Sequence, residues 1–250
     1  ALKTHNVSKN FGGVKAVVDF SMEVREGERR ALIGPNGAGK TTLFNVIAGE
    51  LDSDGGRIEI FGKDITKKTI QQRAKLGLGR TYQLSQLFTS MTVEKNLYLA
   101  AAANKHKDFE MFRLWQTNKN EIAIVNQVAD EVGLSALLHE KVGELSHGEQ
   151  RQLEIGMALA MQPRLIMLDE PAAGLSPSER VILTKLIKEL PSSTSVIIIE
   201  HDMDIVLSVA DRISVLNRGS LIAEGTPREI KENQLVQDVY LGGSNAELDS

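Results

Sequence analysis

The 250-residue sequence contains no cysteine. Disulfides, thiolate metal centres and thiol nucleophiles are therefore excluded, and a reducing compartment is compatible with the chain. There is no excess of positive charge. With 29 Lys and Arg against 33 Asp and Glu, the net charge is −4, which argues against broad binding to nucleic acid or to an anionic membrane surface. No apolar run approaches the roughly 20 residues that a spanning helix needs. Runs such as Val196 to Ile199 have the length of buried strands, so any membrane role is expected to come through a partner. No secretion-signal pattern opens the chain; it begins Ala1-Leu2 without methionine, so trimming of the start is expected. Internal repeats and low-complexity segments are also missing.

What is present begins with Gly34-Pro35-Asn36-Gly37-Ala38-Gly39-Lys40-Thr41, which fits the phosphate-binding pattern G-x-x-x-x-G-K-[ST]. A strand-like stretch, Ala31 to Ile33, precedes it, and a helix-compatible stretch, Thr42 to Ala48, follows and stops at Gly49. Glycines let the backbone curl so that its N–H groups point inward, and the helix N-terminus adds partial positive charge at the same place. Lys40 is expected to reach the β- and γ-phosphates, and the Thr41 hydroxyl to ligate Mg²⁺. Gly34 to Thr41, with Thr42 behind them, are the candidate nucleotide-binding residues.

The remaining pattern points to an α/β chain. Val17 to Val24 alternates around Val18, Phe20, Met22 and Val24, and Arg57 to Phe61 alternates again. Val93 to Ala103 and Ile122 to Leu138 favour helix, as does the stretch from Ser146 to about Met161, before Pro163. Leu165 to Leu168 and Val196 to Ile199 are apolar throughout, as expected for parallel strands covered on both faces. Ile213 to Leu216 and Leu221 to Ala223 read as a hairpin about Asn217-Arg218-Gly219.

In open α/β sheets ligands bind beyond the carboxyl ends of the strands. Three features are expected on that edge: the phosphate loop, Asp169-Glu170 and His201. Asp169 is placed to hold Mg²⁺, through water. Glu170 is placed to polarise a water for in-line attack on the γ-phosphate, and His201 to contact that phosphate. Gln83 offers an amide oxygen to Mg²⁺ or water, and Phe11 a ring to stack on adenine. Ser146 and Glu149 form a capping box at a helix start. The same Ser146 hydroxyl, with the Gly148 N–H, suits a second phosphate. One helix N-terminus already serves the phosphates at Lys40, so this second one is expected to serve a nucleotide held by another chain.

Taken together, these residues resemble the ATP-binding cassette (ABC) family, the engines of ABC transporters, over nearly the whole chain. Gly34 to Thr41 is similar to its Walker A loop, Gln83 to its Q-loop, Leu145 to Glu149 to its LSGGQ signature, and Leu165 to Glu170 to its Walker B strand with the catalytic glutamate. Gly174-Leu175-Ser176 falls at the D-loop and His201 at the switch histidine. His147 and Glu149 depart from the signature, and Ser176-Pro177 departs from the D-loop's frequent Leu-Asp. The resemblance implies a P-loop NTPase, RecA-like, parallel sheet with an N-terminal antiparallel β subdomain and an inserted α-helical subdomain. One nucleotide-binding domain would span 1–250, with a core at 1–92 and 162–250 and the helical part at about 93–161.

It also implies Mg-ATP as cofactor and a head-to-tail dimer with a second nucleotide-binding subunit, Lys40 of one chain facing Ser146 of the other. Transmembrane permease subunits would dock by coupling helices near Leu84, Phe88 and Met91. A substrate-binding protein is expected, with no nucleic acid, and a peripheral place on the cytoplasmic face of the cell membrane. Leu145 to Arg151, Asp169 to Leu175 and Val239 to Gly242 are similar to branched-chain amino-acid importers. Urea or amide importers and lipopolysaccharide exporters remain alternatives, and non-transport cassette ATPases a more distant one. A GTPase is disfavoured because the guanine-reading Asn-Lys-x-Asp is missing.

Overall fold

The uniformly apolar runs form the middle of a six-stranded sheet in a computed structural model that describes residues 1–81, 87–103 and 119–243. The sheet contains β3 (Arg29–Ile33), β6 (Leu78–Arg80), β7 (Leu165–Asp169), β8 (Ser195–Ile199), β9 (Arg212–Asn217) and β10 (Ser220–Gly225), in the order β10-β9-β3-β8-β7-β6. All neighbours are parallel except the β9–β10 hairpin. Successive side chains leave opposite faces of a strand. Val196 and Ile198 of β8 enter one hydrophobic cluster, and Ile197 and Ile199 enter the other. Both faces being dry, the run from Val196 to Ile199 is apolar at every position.

A second sheet, antiparallel and four-stranded, closes one face. It contains β1 (Leu2–Phe11), β2 (Val14–Val24), β4 (Gly55–Ile60) and β5 (Lys63–Asp64), in the order β2-β1-β4-β5. Between the two sheets runs α1 (Lys40–Ala48), whose Leu43, Phe44, Val46 and Ile47 are buried in the shared core. The opposite face of the large sheet carries α3 (Val93–Ala103), α4 (Lys119–Glu131) and α5 (His147–Ala160), which pack on one another, together with α6 (Pro177–Glu189) and α7 (Met203–Val209). The short α2 (Ile70–Ala74) precedes β6, and α8 (Pro227–Lys231) and α9 (Gln234–Gly243) follow β10.

Two local expectations are corrected. In β2 the inward residue is Val17, not Val18, because pairing with β1 slips between Val7↔Phe20 and Lys9↔Val17. The extra residue is taken up where Asp19 adopts φ 44°, a bulge that flips the facing of what precedes it. The helix expected from Ile122 to Leu138 instead ends at Glu131. Gly133 follows at φ 73°, and a separate 3₁₀ turn covers Ser135–Leu137.

The far end of α1 is closed by a buried cation. Arg73 is 2 % exposed and donates to the carbonyls of Val46 (2.6 Å) and Ile47 (2.7 Å), and also to Lys68 and Thr66. Burial pulls its pKa down, with Asp52 opposing. A positive group here satisfies orphan carbonyls and complements the helix dipole. Arg73→Met is expected to cost about 2–3 kcal/mol of stability, since it strands buried carbonyls. A lowered urea midpoint at unchanged m-value checks it.

Candidate functional site

The turn after β3 is shaped by close backbone approaches that only glycine permits. Gly34 sits at φ 152°, and a Cβ there would lie 2.1 Å from the Leu216 carbonyl oxygen. Gly39 sits at φ 99°, and its Cβ would lie 2.2 Å from the carbonyl oxygen of Ala16. The loop is thus wedged between β9 and β2, with the Gly219 N–H donating to the Ala38 carbonyl at 2.9 Å. Gly39 is also the N-cap of α1. It supplies no side-chain cap, and no acidic residue stands in the first turn. That end of α1 is therefore left to an outside anion. Lys40 is 8 % exposed, and its Nζ donates to the Gly34 carbonyl (2.7 Å) and the Pro35 carbonyl (3.0 Å), bridging the loop's mouth. Asn36, Gly37 and Thr41 are exposed, and Ala38 is buried. Thr42, the third residue of α1, is half-buried.

Parallel register brings the two acids and the histidine to the same edge. Asp169, the last residue of β7, pairs with Ile199 of β8, and Glu200-His201 follow directly. Burial pulls the Lys40 pKa down, and the first charges opposing it are Glu170 and Asp169, so all three share one field. Asp169 is 2 % exposed, and its Oδ2 has no hydrogen-bond partner. Arg80 Nη2 stands 3.6 Å away. Burial raises the Asp169 pKa, with Arg80 opposing. A buried carboxylate oxygen left without a donor is costly and fits a hard divalent cation. Among the described residues no group of three His, Cys, Asp or Glu could hold a metal, so further ligands would be the Thr41 hydroxyl and phosphate oxygens. Glu170 has φ 44°, sparsely populated for a residue with a side chain. His201 is 62 % exposed in its side chain. Beneath it Glu200 is buried and accepts from the Ala172 N–H (2.8 Å) and the His201 N–H (3.2 Å). Burial raises its pKa, against those donors.

At the start of α5, Ser146 is the N-cap and forms a capping box with Glu149. Gly148 does not have a free N–H. It donates to Glu179 Oε1 at 2.9 Å, while Glu179 Oε2 accepts from the Ser176 N–H and hydroxyl. These donors hold the Glu179 carboxyl below the usual range. Glu179 therefore closes its own helix start and also touches that of α5.

Phe11 ends β1 at the exposed tip of the β1–β2 hairpin, 47 % exposed, with Lys9 Nζ 5.6 Å from the ring centroid. Ala16 of the same hairpin touches Gly39, which sets this tip beside the phosphate loop. Gln83 and Leu84 lie outside the described residues. Sequence reading missed Arg80, Glu179, Glu200 and Arg151. Arg151 had a signal in its place one turn into the signature helix, and Glu179 in its capping-box spacing from Ser176; the contacts of Arg80 with Asp169, of Glu179 with Gly148 and of Glu200 with Ala172 are brought from distant parts of the chain. An apolar groove is lined by Leu87, Phe88, Leu99, Met157 and Met161, with Arg80 and Glu154 as its charged members.

Comparison with known proteins gives concordant matches. A family model for ABC transporters matches residues 17–173, and one for branched-chain amino acid ATP-binding cassette transporters matches residues 220–245. The chain is 40 % identical to a high-affinity branched-chain amino acid transport ATP-binding protein, LivG, of Salmonella typhimurium, covering 96 % of this chain and 97 % of the relative. It is 38 % identical to the corresponding protein BraF of Pseudomonas aeruginosa, with the same coverage. The solved ADP conformation of an ATP-binding cassette of an ABC transporter superposes with a TM-score of 0.86 at 34 % identity, covering 96 % of this chain and 98 % of that one.

Proposed function

Because the chain belongs to the ABC transporter family and is an ATPase subunit of that family, we propose that its nucleotide site is the edge where Lys40, Asp169 and Glu170 meet. Gly34 to Thr42 cradle the phosphates of ATP, with Lys40 turning from the Gly34 and Pro35 carbonyls to the β- and γ-oxygens. Asp169 and the Thr41 hydroxyl would hold Mg²⁺, joined by Gln83, and there it would supply neutralisation of charge on the transferring phosphoryl group. Glu170 accepts the proton of the attacking water, His201 steadies the γ-phosphate, and Phe11 covers the adenine. The observation that carries this reading is the buried Asp169 carboxylate oxygen, without a hydrogen-bond donor, at the end of β7 on the same parallel sheet whose β3 feeds the Gly34 to Thr41 loop.

Ser146 and Gly148 complete the site of a second subunit. The helices between 93 and 161 act as a unit that carries α5 toward it. Phe88 and Met157, in the apolar groove, receive a coupling helix of a membrane permease, which holds the chain on the cytoplasmic face of the membrane. Among the described residues no helix is long and apolar enough to cross one. The relatives' names and the match at 220–245 support import of branched-chain amino acids, delivered by a binding protein.

The test mixes subunits. Lys40→Ala and Ser146→Ala homodimers are each expected to be inactive. Tagged heterodimers of the two regain one intact site and with it a fraction of wild-type hydrolysis. No recovery in purified heterodimers overturns the assignment of Ser146 to the other chain's nucleotide.

A further inference from the structure

The loop that carries Glu170 is gripped by one side chain from the signature helix. Arg151 Nη2 donates to the carbonyls of Asp169 and Glu170, both at 2.9 Å, and its Nε donates to the Pro171 carbonyl at 2.8 Å. The two carbonyls held by Nη2 flank the Glu170 Cα, so this nitrogen fixes the backbone on both sides of a residue at φ 44°. The Glu170 N–H is held separately by the Ile199 carbonyl at 2.9 Å, and the Ala172 N–H by buried Glu200. Arg151 itself is only 12 % exposed, and its remaining nitrogen, Nη1, is paired with Glu154 one turn further along α5. Glu154 is a charged member of the apolar groove.

We infer that Arg151 is a positioning residue for hydrolysis: its guanidinium holds Glu170 in attacking geometry, and Glu154 aims that guanidinium. A planar fork with donors in fixed directions can span three successive carbonyls. A lysine ammonium at the same position concentrates its donors on one nitrogen, so it cannot reproduce the separate Nε and Nη2 contacts and still pair with Glu154 through a third nitrogen. The arrangement ties the Glu170 backbone to the helix that Ser146 caps. It also places one ion pair between the groove and the reacting centre. An occupant of the groove that moves Glu154 thus acts on Glu170 through Arg151. The inference rests on Glu170 being the base.

The test is steady-state ATP hydrolysis by the full chain, with kcat and KM separated. Arg151→Met and Arg151→Lys are expected to lower kcat by about tenfold or more while KM and the Kd for ATP stay within about twofold, the signature of a contact used only in the transition state. Glu154→Gln shifts kcat the same way by less. A purely structural role is separated by placing Arg151→Met in a Glu170→Gln background. ATP-driven dimerisation there should be unaltered, whereas general loosening of the fold would weaken it. Normal kcat in Arg151→Lys and Glu154→Gln, or loss of ATP affinity in proportion to kcat, overturns the inference. Should Arg151→Met fail to fold, the lysine and Glu154 variants carry the test. Glu170→Gln run alongside separates the two failures. If it is dead while Arg151→Lys is normal, the positioning role falls and the base stands. If both are active, Glu170 and the role of Arg151 fall together.

Discussion

Glu170→Gln is expected to lower the hydrolytic rate by about 10²- to 10⁴-fold, the usual value of a positioned general base. The exchange keeps volume and hydrogen-bonding reach but removes the ability to accept a proton from water. Nothing in the backbone needs the charge. The loop is held through its own carbonyls by Arg151 and through the Glu170 N–H by Ile199, so the variant should fold as the parent does. Binding would be intact and release blocked, so ATP should hold two subunits together. A single dimer peak in size-exclusion chromatography with ATP, lost with ADP, together with absent phosphate release, is the expected result. Undiminished turnover would remove Glu170 from its proposed role.

Lys40→Ala is expected to act earlier, on binding itself. The ammonium is held in place by two carbonyls and is already desolvated. Much of its desolvation is thus met before ATP arrives, the two carbonyl bonds are exchanged for stronger ones to phosphate, and a charge-assisted contact of this kind is worth up to about 3 kcal/mol. The Kd for ATP should rise by about 100-fold, measured by calorimetry with and without Mg²⁺. An unchanged Kd would mean that the loop does not read the phosphates through this side chain. The two variants differ in kind: one binds without turning over, the other fails to bind.

The sequence makes the strand-to-loop-to-helix context of Gly34 to Thr41 legible because every interaction that defines it is local. The same holds for Asp169, which ends an apolar strand. Ser146 was readable as a cap from Glu149 three residues on. What escaped is what the fold brings from afar. Glu179 is 31 residues from Gly148, and Arg151 is 18 to 20 from the carbonyls it grips. Neither separation leaves a periodic trace. The shift from Val18 to Val17 escaped for a different reason. A bulge costs one residue of register, and simple alternation extends straight through it.

The contact between Glu179 and Gly148 has a consequence for how subunits meet. One N–H serves one strong acceptor well. A γ-phosphate arriving from a second chain, as proposed, would therefore not add a bond at Gly148; it would trade places with a carboxylate already seated there. The free energy of that step is the difference between two charge-assisted bonds of the same type, not the full value of either. An exchange of near equals is easily run in both directions. That would suit the proposed two-subunit engine, which would have to part its subunits as readily as it joins them, and the released Glu179 is the group that would take the seat back.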